Sequence, residues 1–388
     1  MKKFAIIAIL FTLCIAIANA DEKAGPKVSG LVFFDYFHNV GMDPGITSFS
    51  NVAVPGKKDD YGFQFRRVFF TVEYDVSSDI SARFRLEADG STQANNGNLT
   101  TFMKDMYFKY KNIFTGTDLY VGLQNTIAYE ISESVWGYRC LDKTQMDLRN
   151  IVASRDIGAS LKGSYSDGMI NYAVQYGNAS GPKAESNVFK RVSGIFQLKP
   201  MNEINVTAYA EQNWGDKGKD AMLFAFSAGY IIKDKFSIGA ELFAQNVKNS
   251  FNSLNEYDVK KNSSDPAKSD TVDHAFIDKK VLGFSVYSWY NIIPELAIIA
   301  RYDMFNPNTD ASDIAKGDSR NFIEAGLDWK ISKNFSIIPN IQYEMYESKP
   351  ETTKKYNNLA LGTLENKVSK AGDYKNTLTA RITFFYKF

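Results

Sequence analysis

The stretch that decides the fold is residues 374–388, YKNTLTARITFFYKF, at the end of the chain. Its side chains alternate with a period of two residues. The apolar and aromatic set is Leu378, Ala380, Ile382, Phe384, Tyr386 and Phe388. The opposite set, mostly polar or charged, is Thr377, Thr379, Arg381, Thr383, Phe385 and Lys387. Because one face suits lipid and the other a watery lumen, the pattern predicts a strand of a transmembrane β-barrel.

Residues 1–20 predict a secretory signal peptide. Lys2 and Lys3 give a positive start, residues 4–18 are mainly apolar, and Ala18-Asn19-Ala20 is a small-x-small cleavage site. We therefore expect the mature chain to be a single barrel over residues 21–388. After the signal, no run approaches the roughly 18 uncharged apolar residues that a membrane helix needs.

Composition excludes several classes of protein. The chain has 45 Lys+Arg against 44 Asp+Glu, so it lacks the basic bias of a nucleic-acid partner. Cys140 is the only cysteine after the signal, and His38 and His274 are the only histidines, which predicts no metal site and no cofactor. Neither histidine lies beside a Gly-x-Ser-x-Gly motif, so we expect no enzymatic activity.

Period-two segments recur along the whole mature chain and predict an all-β, antiparallel barrel of about sixteen strands. Fifteen segments precede the last one: 27–38, 63–76, 80–89, 102–111, 119–124, 156–163, 169–177, 189–199, 204–213, 222–233, 236–245, 281–290, 296–305, 322–331 and 335–347. Short connections such as 77–79 and 332–334 alternate with long ones such as 247–278 and 348–373. This alternation predicts short periplasmic turns and long extracellular loops.

Three short motifs resemble the phosphate-selective porin O and P family. They are Phe65-Arg66-Arg67-Val68-Phe69, then Gly122-Leu123-Gln124 leading into residues 127–134, and Ser154-Arg155-Asp156-Ile157-Gly158. The resemblance implies a sixteen-stranded homotrimeric barrel in the lipid of the bacterial outer membrane. It also implies a third extracellular loop folded inward and basic residues along a diffusion path for anions. We expect the barrel-assembly machinery to recognise the C-terminal strand that ends in Phe388.

Residues 125–150 are the candidate constriction loop, and Trp136 and Tyr138 within it suit packing against the barrel wall. Alternation and this loop together give the candidate residues for lining the pore and setting its selectivity. They are Arg67, Arg83, Arg85, Glu87, Asp105, Lys109, Arg139, Lys143, Arg149, Arg191, Arg301 and Arg381. Arginine suits oxyanions because its donors form a planar fork.

Acidic side chains occupy inward positions about as often as basic ones. This near balance of charge favours a porin for passive diffusion of small hydrophilic solutes or ions over a phosphate- or anion-selective porin. An anion selector needs excess positive charge at its constriction. A structural or adhesin-type barrel with a plugged lumen is the alternative of a different class. Small inward residues such as Gly122, Gly158 and Gly239 favour an open channel over that plug.

Overall fold

The structure is a computed structural model that describes residues 25–42, 57–89, 100–215, 220–252, 276–310, 319–347, 356–358, 362–364 and 375–388. The predicted signal peptide, residues 1–20, lies outside the described residues. Among the residues described, no helix is both long enough and apolar enough to cross a membrane.

Sixteen of the described strands form one closed antiparallel barrel, which confirms the predicted fold class. They are β1 (Lys27–Gly41), β2 (Tyr61–Asp75), β3 (Ile80–Asp89), β4 (Phe102–Phe114), β5 (Thr117–Asn125), β6 (Arg155–Tyr165), β7 (Ile170–Gly177), β8 (Arg191–Met201), β9 (Ile204–Asn213), β10 (Ala221–Ile232), β11 (Phe236–Asn252), β12 (Phe276–Ile293), β13 (Leu296–Asn306), β14 (Arg320–Ser332), β15 (Phe335–Tyr346) and β18 (Thr377–Lys387). Two three-residue strands, β16 (Tyr356–Asn358) and β17 (Gly362–Leu364), form a separate hairpin.

Each strand of the barrel pairs with its neighbours in the chain, and β18 closes the barrel against β1. The connections 76–79, 166–169 and 333–334 are short and lie at one end, whereas the longer connections lie at the other. On the outer surface Phe34 and Phe384 stack across the closing seam, with ring centroids 4.8 Å apart. Inward Arg381 and Thr383 are buried while Ile382 between them is exposed, as the alternation of β18 predicts.

Two of the bulges in the described strands each add an inward cation. In β2 the pairing with β1 skips Arg66, and in β4 the pairing with β3 skips Lys104. A bulge places two residues opposite one, so the skipped residue and its neighbour can both point to the same face. Arg66 forms an ion pair with inward Asp35, and Lys104 forms one with inward Glu87.

The connection between β5 and β6, residues 126–154, lies inside the barrel. It contains two short helices, α1 (Glu130–Trp136) and α2 (Gln145–Leu148). Apolar side chains of this loop form two buried clusters with inward side chains of the wall. One joins Ile127 and Met146 to strands β7 and β9–β13, and the other joins Trp136 and Leu141 to β1, β2, β12, β13 and β15. The loop and the barrel wall therefore share an apolar core inside the barrel.

Gly122 is a position in β5 where the backbone requires glycine. Its φ is +132°, and a Cβ there would lie 2.3 Å from the carbonyl oxygen of Met106. We expect Gly122→Ala to lower the free energy of unfolding by about 1–3 kcal/mol because of this strain. Urea unfolding of the barrel in lipid or detergent measures the change. The control is Gly194→Ala, where the nearest atom is 3.9 Å from the added Cβ; an equal effect of both variants would contradict the account.

Candidate functional site

Three arginines of the barrel wall donate hydrogen bonds to carbonyl oxygens of the loop. Arg66 donates to the carbonyl of Leu141 at 2.6 Å and also to that of Cys140. Arg381 donates to the same Leu141 carbonyl at 3.2 Å, from the opposite side of the closing seam. Arg301 donates to the carbonyl of Lys143. Residues 140–143, named here the clamped segment, are thus held from β2, β13 and β18.

Each of these wall arginines is itself bound to a wall carboxylate. The Arg66–Asp35 pair is 2.5 Å long, and the Arg301–Asp303 pair is 2.6 Å long. The Asp303 carboxylate also accepts a hydrogen bond from Ser285 at 2.6 Å. Buried guanidinium groups need such partners, because an unpaired buried charge costs several kcal/mol. The wall thus fixes the direction in which these arginines point.

Side chains of the loop bind the wall in return. Tyr138 donates to Asp328 at 3.0 Å, and Arg149 binds Glu344 at 2.5 Å. Trp136 is fully buried, and the Arg301 guanidinium lies 5.5 Å from its ring centroid. Trp136 and Tyr138 therefore pack the loop against the wall.

Four of the arginines expected to line the pore lie in buried ion pairs instead. Arg149, Arg191, Arg301 and Arg381 are each at most 5% exposed. Arg191 binds Asp156 at 2.7 Å, and Arg381 binds Glu324 at 3.4 Å. Alternation reports which face of a strand a side chain occupies, but not whether something covers that face. Here the loop and the neighbouring inward side chains cover it.

The two remaining cations predicted on the loop share one carboxylate. Arg139 and Lys143 bind Asp147 at 3.2 and 3.3 Å. Burial alone would raise the pKa of the Asp147 carboxyl, but the charges of Arg139, Lys143, Arg67 and Lys104 together hold that pKa below its ordinary value. The stabilisation from the charged form is therefore complete above the ordinary pKa and is lost as the pH falls through the lowered one.

On the side of the lumen facing β2–β6, the loop leaves a cavity of about 460 Å³, named here the basic cavity. Seven basic side chains line it: Arg67, Arg83, Arg85, Lys104, Arg139, Arg155 and Lys162. Three acidic side chains line it: Glu130, Glu133 and Asp147. Glu87 and Asp105, which alternation places inward, lie beneath these cations and are 0% and 1% exposed. The near balance of charge expected from sequence is therefore absent at the surface of this cavity.

A smaller cavity of about 260 Å³ lies beside the basic cavity. Arg83, Tyr107 and Tyr120 line both cavities, and Lys109 lines the smaller one. A third cavity, of about 710 Å³, lies under Tyr138 near the short turns. Its lining carries three acidic and three basic side chains: Asp234, Glu295, Asp328, Lys330, Lys333 and Lys387. The excess of positive charge is thus a property of the β2–β6 side.

Sequence reasoning missed three cations of this region, Arg66, Lys104 and Arg155. The first two lie at bulges, and strict alternation predicts only one member of each bulged pair to point inward. Arg155 begins β6 and reaches across to Asp105 on β4. Its place in the Ser154–Gly158 motif is a signal in the sequence, but the motif does not reveal this contact. Among the described residues, no cluster of three or more His, Cys, Asp or Glu side chains could hold a metal ion.

Comparison with known proteins relates this fold to outer-membrane barrels. No protein-family model matches the chain, and no curated protein matches it. Solved structures match nearly its whole length. The channel DcaP of Acinetobacter baumannii is 13% identical, with a TM-score of 0.59, over 96% of this chain and 100% of that one. The anion-selective porin from Comamonas acidovorans is 12% identical, with a TM-score of 0.58, over 94% and 100%. OmpT of Vibrio cholerae in a trimer form is 14% identical, with a TM-score of 0.54, over 94% and 99%.

The chain has the fold of these outer-membrane barrels. The location predicted from the sequence, the bacterial outer membrane, agrees with this fold. Sequence identities this low show that the proteins share a fold, and they do not show that the proteins carry the same solutes. The resemblance to phosphate-selective porins therefore stays a prediction.

Cys140 reports whether the clamped segment is in place. Its side chain is buried, and burial raises the pKa of its thiol to about 12, so the folded wild type should react slowly with maleimide. Arg66→Ala removes two donors to this segment and leaves Asp35 without its cation. We expect Cys140 to be labelled about tenfold faster or more in that variant, as measured by mass spectrometry over time.

The matched control is Lys111→Ala, which removes an inward cation whose described partners are Asp75 and Ser78, away from the loop. Labelling of this control should follow the wild type. Unchanged labelling of Arg66→Ala would contradict the clamp.

Proposed function

We propose that this protein is an outer-membrane porin for passive diffusion of small hydrophilic solutes, with a preference for anions. The observation that carries the proposal is the lining of the basic cavity, where seven basic side chains face three acidic ones. A low-dielectric wall strengthens the field of these charges and raises the local concentration of anions. The other half of the lumen, which the loop partly fills, contains the third cavity, whose lining has equal numbers of acidic and basic side chains.

Positive charge recurs at each inward level of β3 from the long-loop end downward. Arg67 lies opposite Asp89, Lys104 binds Glu87, and Arg85 and Arg83 occupy the next two levels. Lys109 lies opposite Ser81 at the level below. Alternate residues of a strand are about 7 Å apart. An anion could therefore pass from one cation to the next in short steps of about this length.

Such spacing favours passage over capture. Each of these cations already has a carboxylate or hydroxyl partner, for example Thr71 for Arg85 at 2.7 Å and Glu73 for Arg83 at 2.6 Å. A partnered cation binds an anion more weakly than a free one. Conduction requires several sites that are each strong enough to admit an ion and weak enough to release it.

The plugged structural barrel is the competing proposal, and the position of the loop argues against it. The loop packs against the half of the lumen next to β9–β15 and leaves the third cavity there, while the basic cavity and the smaller cavity share part of their lining on the other half. By likeness to the trimer form of OmpT, we also propose a homotrimer. We also propose that the barrel-assembly machinery recognises the C-terminal strand that ends in Phe388.

Single-channel recording in planar bilayers tests the function directly. Stable conductance steps and a reversal potential on the anion side, under a salt gradient, would support the proposal. Saturable block on adding phosphate would move the assignment to a phosphate-selective porin, as the motifs suggest. Absence of any conductance from correctly folded protein would support the plugged barrel and contradict the proposal.

Arg83 and Arg85 are the cations whose removal should reduce anion preference most clearly. We expect Arg83→Ala and Arg85→Ala each to lower the anion-to-cation permeability ratio by about twofold, because each removes one charge from the path. Reversal potentials measure the ratio. Lys280→Ala, which removes an exposed cation paired with Asp310 on a loop, is the control and should leave the ratio unchanged. Unchanged ratios in both arginine variants would remove them from the selectivity role.

A further inference from the structure

A single buried carboxylate, Asp105, holds three of the cations that line the basic cavity. Its Oδ2 lies 3.3 Å from Nε of Arg83 and 3.6 Å from Nε of Arg85. Its Oδ1 accepts a hydrogen bond from Nε of Arg155. These arginines come from β3 and from the start of β6, on either side of β4. Asp105 is thus the common partner of three guanidinium groups from two strands.

Glu87 does the same for two more cations. Its Oε1 lies 2.7 Å from Nε of Arg67, and its Oε2 lies 2.7 Å from Nζ of Lys104. The two partners come from β2 and β4, one on each side of β3. Two carboxylates therefore hold five of the seven cations that line the cavity.

The carboxylates and their cations differ in exposure. Glu87 and Asp105 are 0% and 1% exposed and do not line the cavity. The side chains of their partners are between 13% and 22% exposed, and all five line it: Arg67, Arg83, Arg85, Lys104 and Arg155. A passing anion therefore meets the cations first, with the negative charges behind them.

Without the carboxylates this arrangement would be unstable. Three guanidinium groups around one point repel each other strongly when little water screens them. A buried carboxylate between them offsets that repulsion, and its Oδ1 accepts the hydrogen bond that directs Arg155. Removing it should leave the arginines directed by their remaining acceptors, Glu73 for Arg83 and Thr71 for Arg85.

We propose that Asp105 and Glu87 are positioning residues for selectivity. Each raises the anion preference of the path although its own charge is negative, because it keeps its cations turned towards the lumen. This inference rests on the proposed anion path. If the total charge of the lumen alone set the selectivity, the loss of any inward carboxylate would favour anions. A positioning role predicts the opposite shift for the loss of Asp105 or Glu87.

Two substitutions that remove the same charge separate these effects. Asp105→Asn removes a carboxylate from beneath the cations. Glu130→Gln removes one that lines the cavity and is 34% exposed. Reversal potentials in a potassium chloride gradient should move to the anion side for Glu130→Gln and to the cation side for Asp105→Asn. Asp105→Glu, which restores the charge, should recover most of the wild-type value.

Asp105→Asn that shifts to the anion side, as Glu130→Gln does, would overturn the positioning role and leave the anion path standing. A wild type without anion preference, and unchanged by Glu130→Gln, would overturn the proposed function and this inference with it. Heat-dependent migration in gels reports folding of each variant. If Asp105→Asn does not fold, Glu87→Gln gives the same test on a different pair of cations, with the same expected shift.

Discussion

The donation of hydrogen bonds from wall arginines to loop carbonyls is the interaction on which the interior of this barrel depends. A barrel of sixteen strands encloses more space than the side chains of its inner wall can fill. The loop between β5 and β6 fills part of that space, and its carbonyls at Cys140, Leu141 and Lys143 need donors there. Arg66, Arg381 and Arg301 supply them. Because each arginine also needs a carboxylate, the clamp extends into a network of charges across the wall.

The position of the loop then determines which charges a solute can meet. Inward acidic and basic residues are similar in number around the whole barrel, yet on one side they neutralise each other beneath the loop. On the other side the acids lie under the cations, so the exposed surface is basic. Selectivity in this account follows from the depth of each charge and not from the count of charges.

Much of the fold could be predicted from the sequence. A strand between lipid and water has apolar and polar side chains in alternation, and this period of two residues is visible in the sequence. All sixteen strands, the short turns at one end and the inward loop were predicted in this way or by family resemblance. Alternation could not reveal Arg66 and Lys104, because a bulge changes the register without a distinctive residue. Nor could it show that Arg301 and Arg381 are covered, because the contact partners lie 158 and 240 residues away in the chain.

The central claim is that solutes pass along the β2–β6 side of the lumen and do not reach the wall beneath the loop. The most direct test compares two serine-to-cysteine variants in a Cys140→Ser background. Ser81 lines the smaller cavity beside Arg83, whereas inward Ser285 is 1% exposed beneath the loop. An anionic thiol reagent added during single-channel recording should reduce the current through Ser81→Cys and leave Ser285→Cys unaffected. Equal reduction in both variants would mean that solutes reach both halves of the lumen, and would contradict the account.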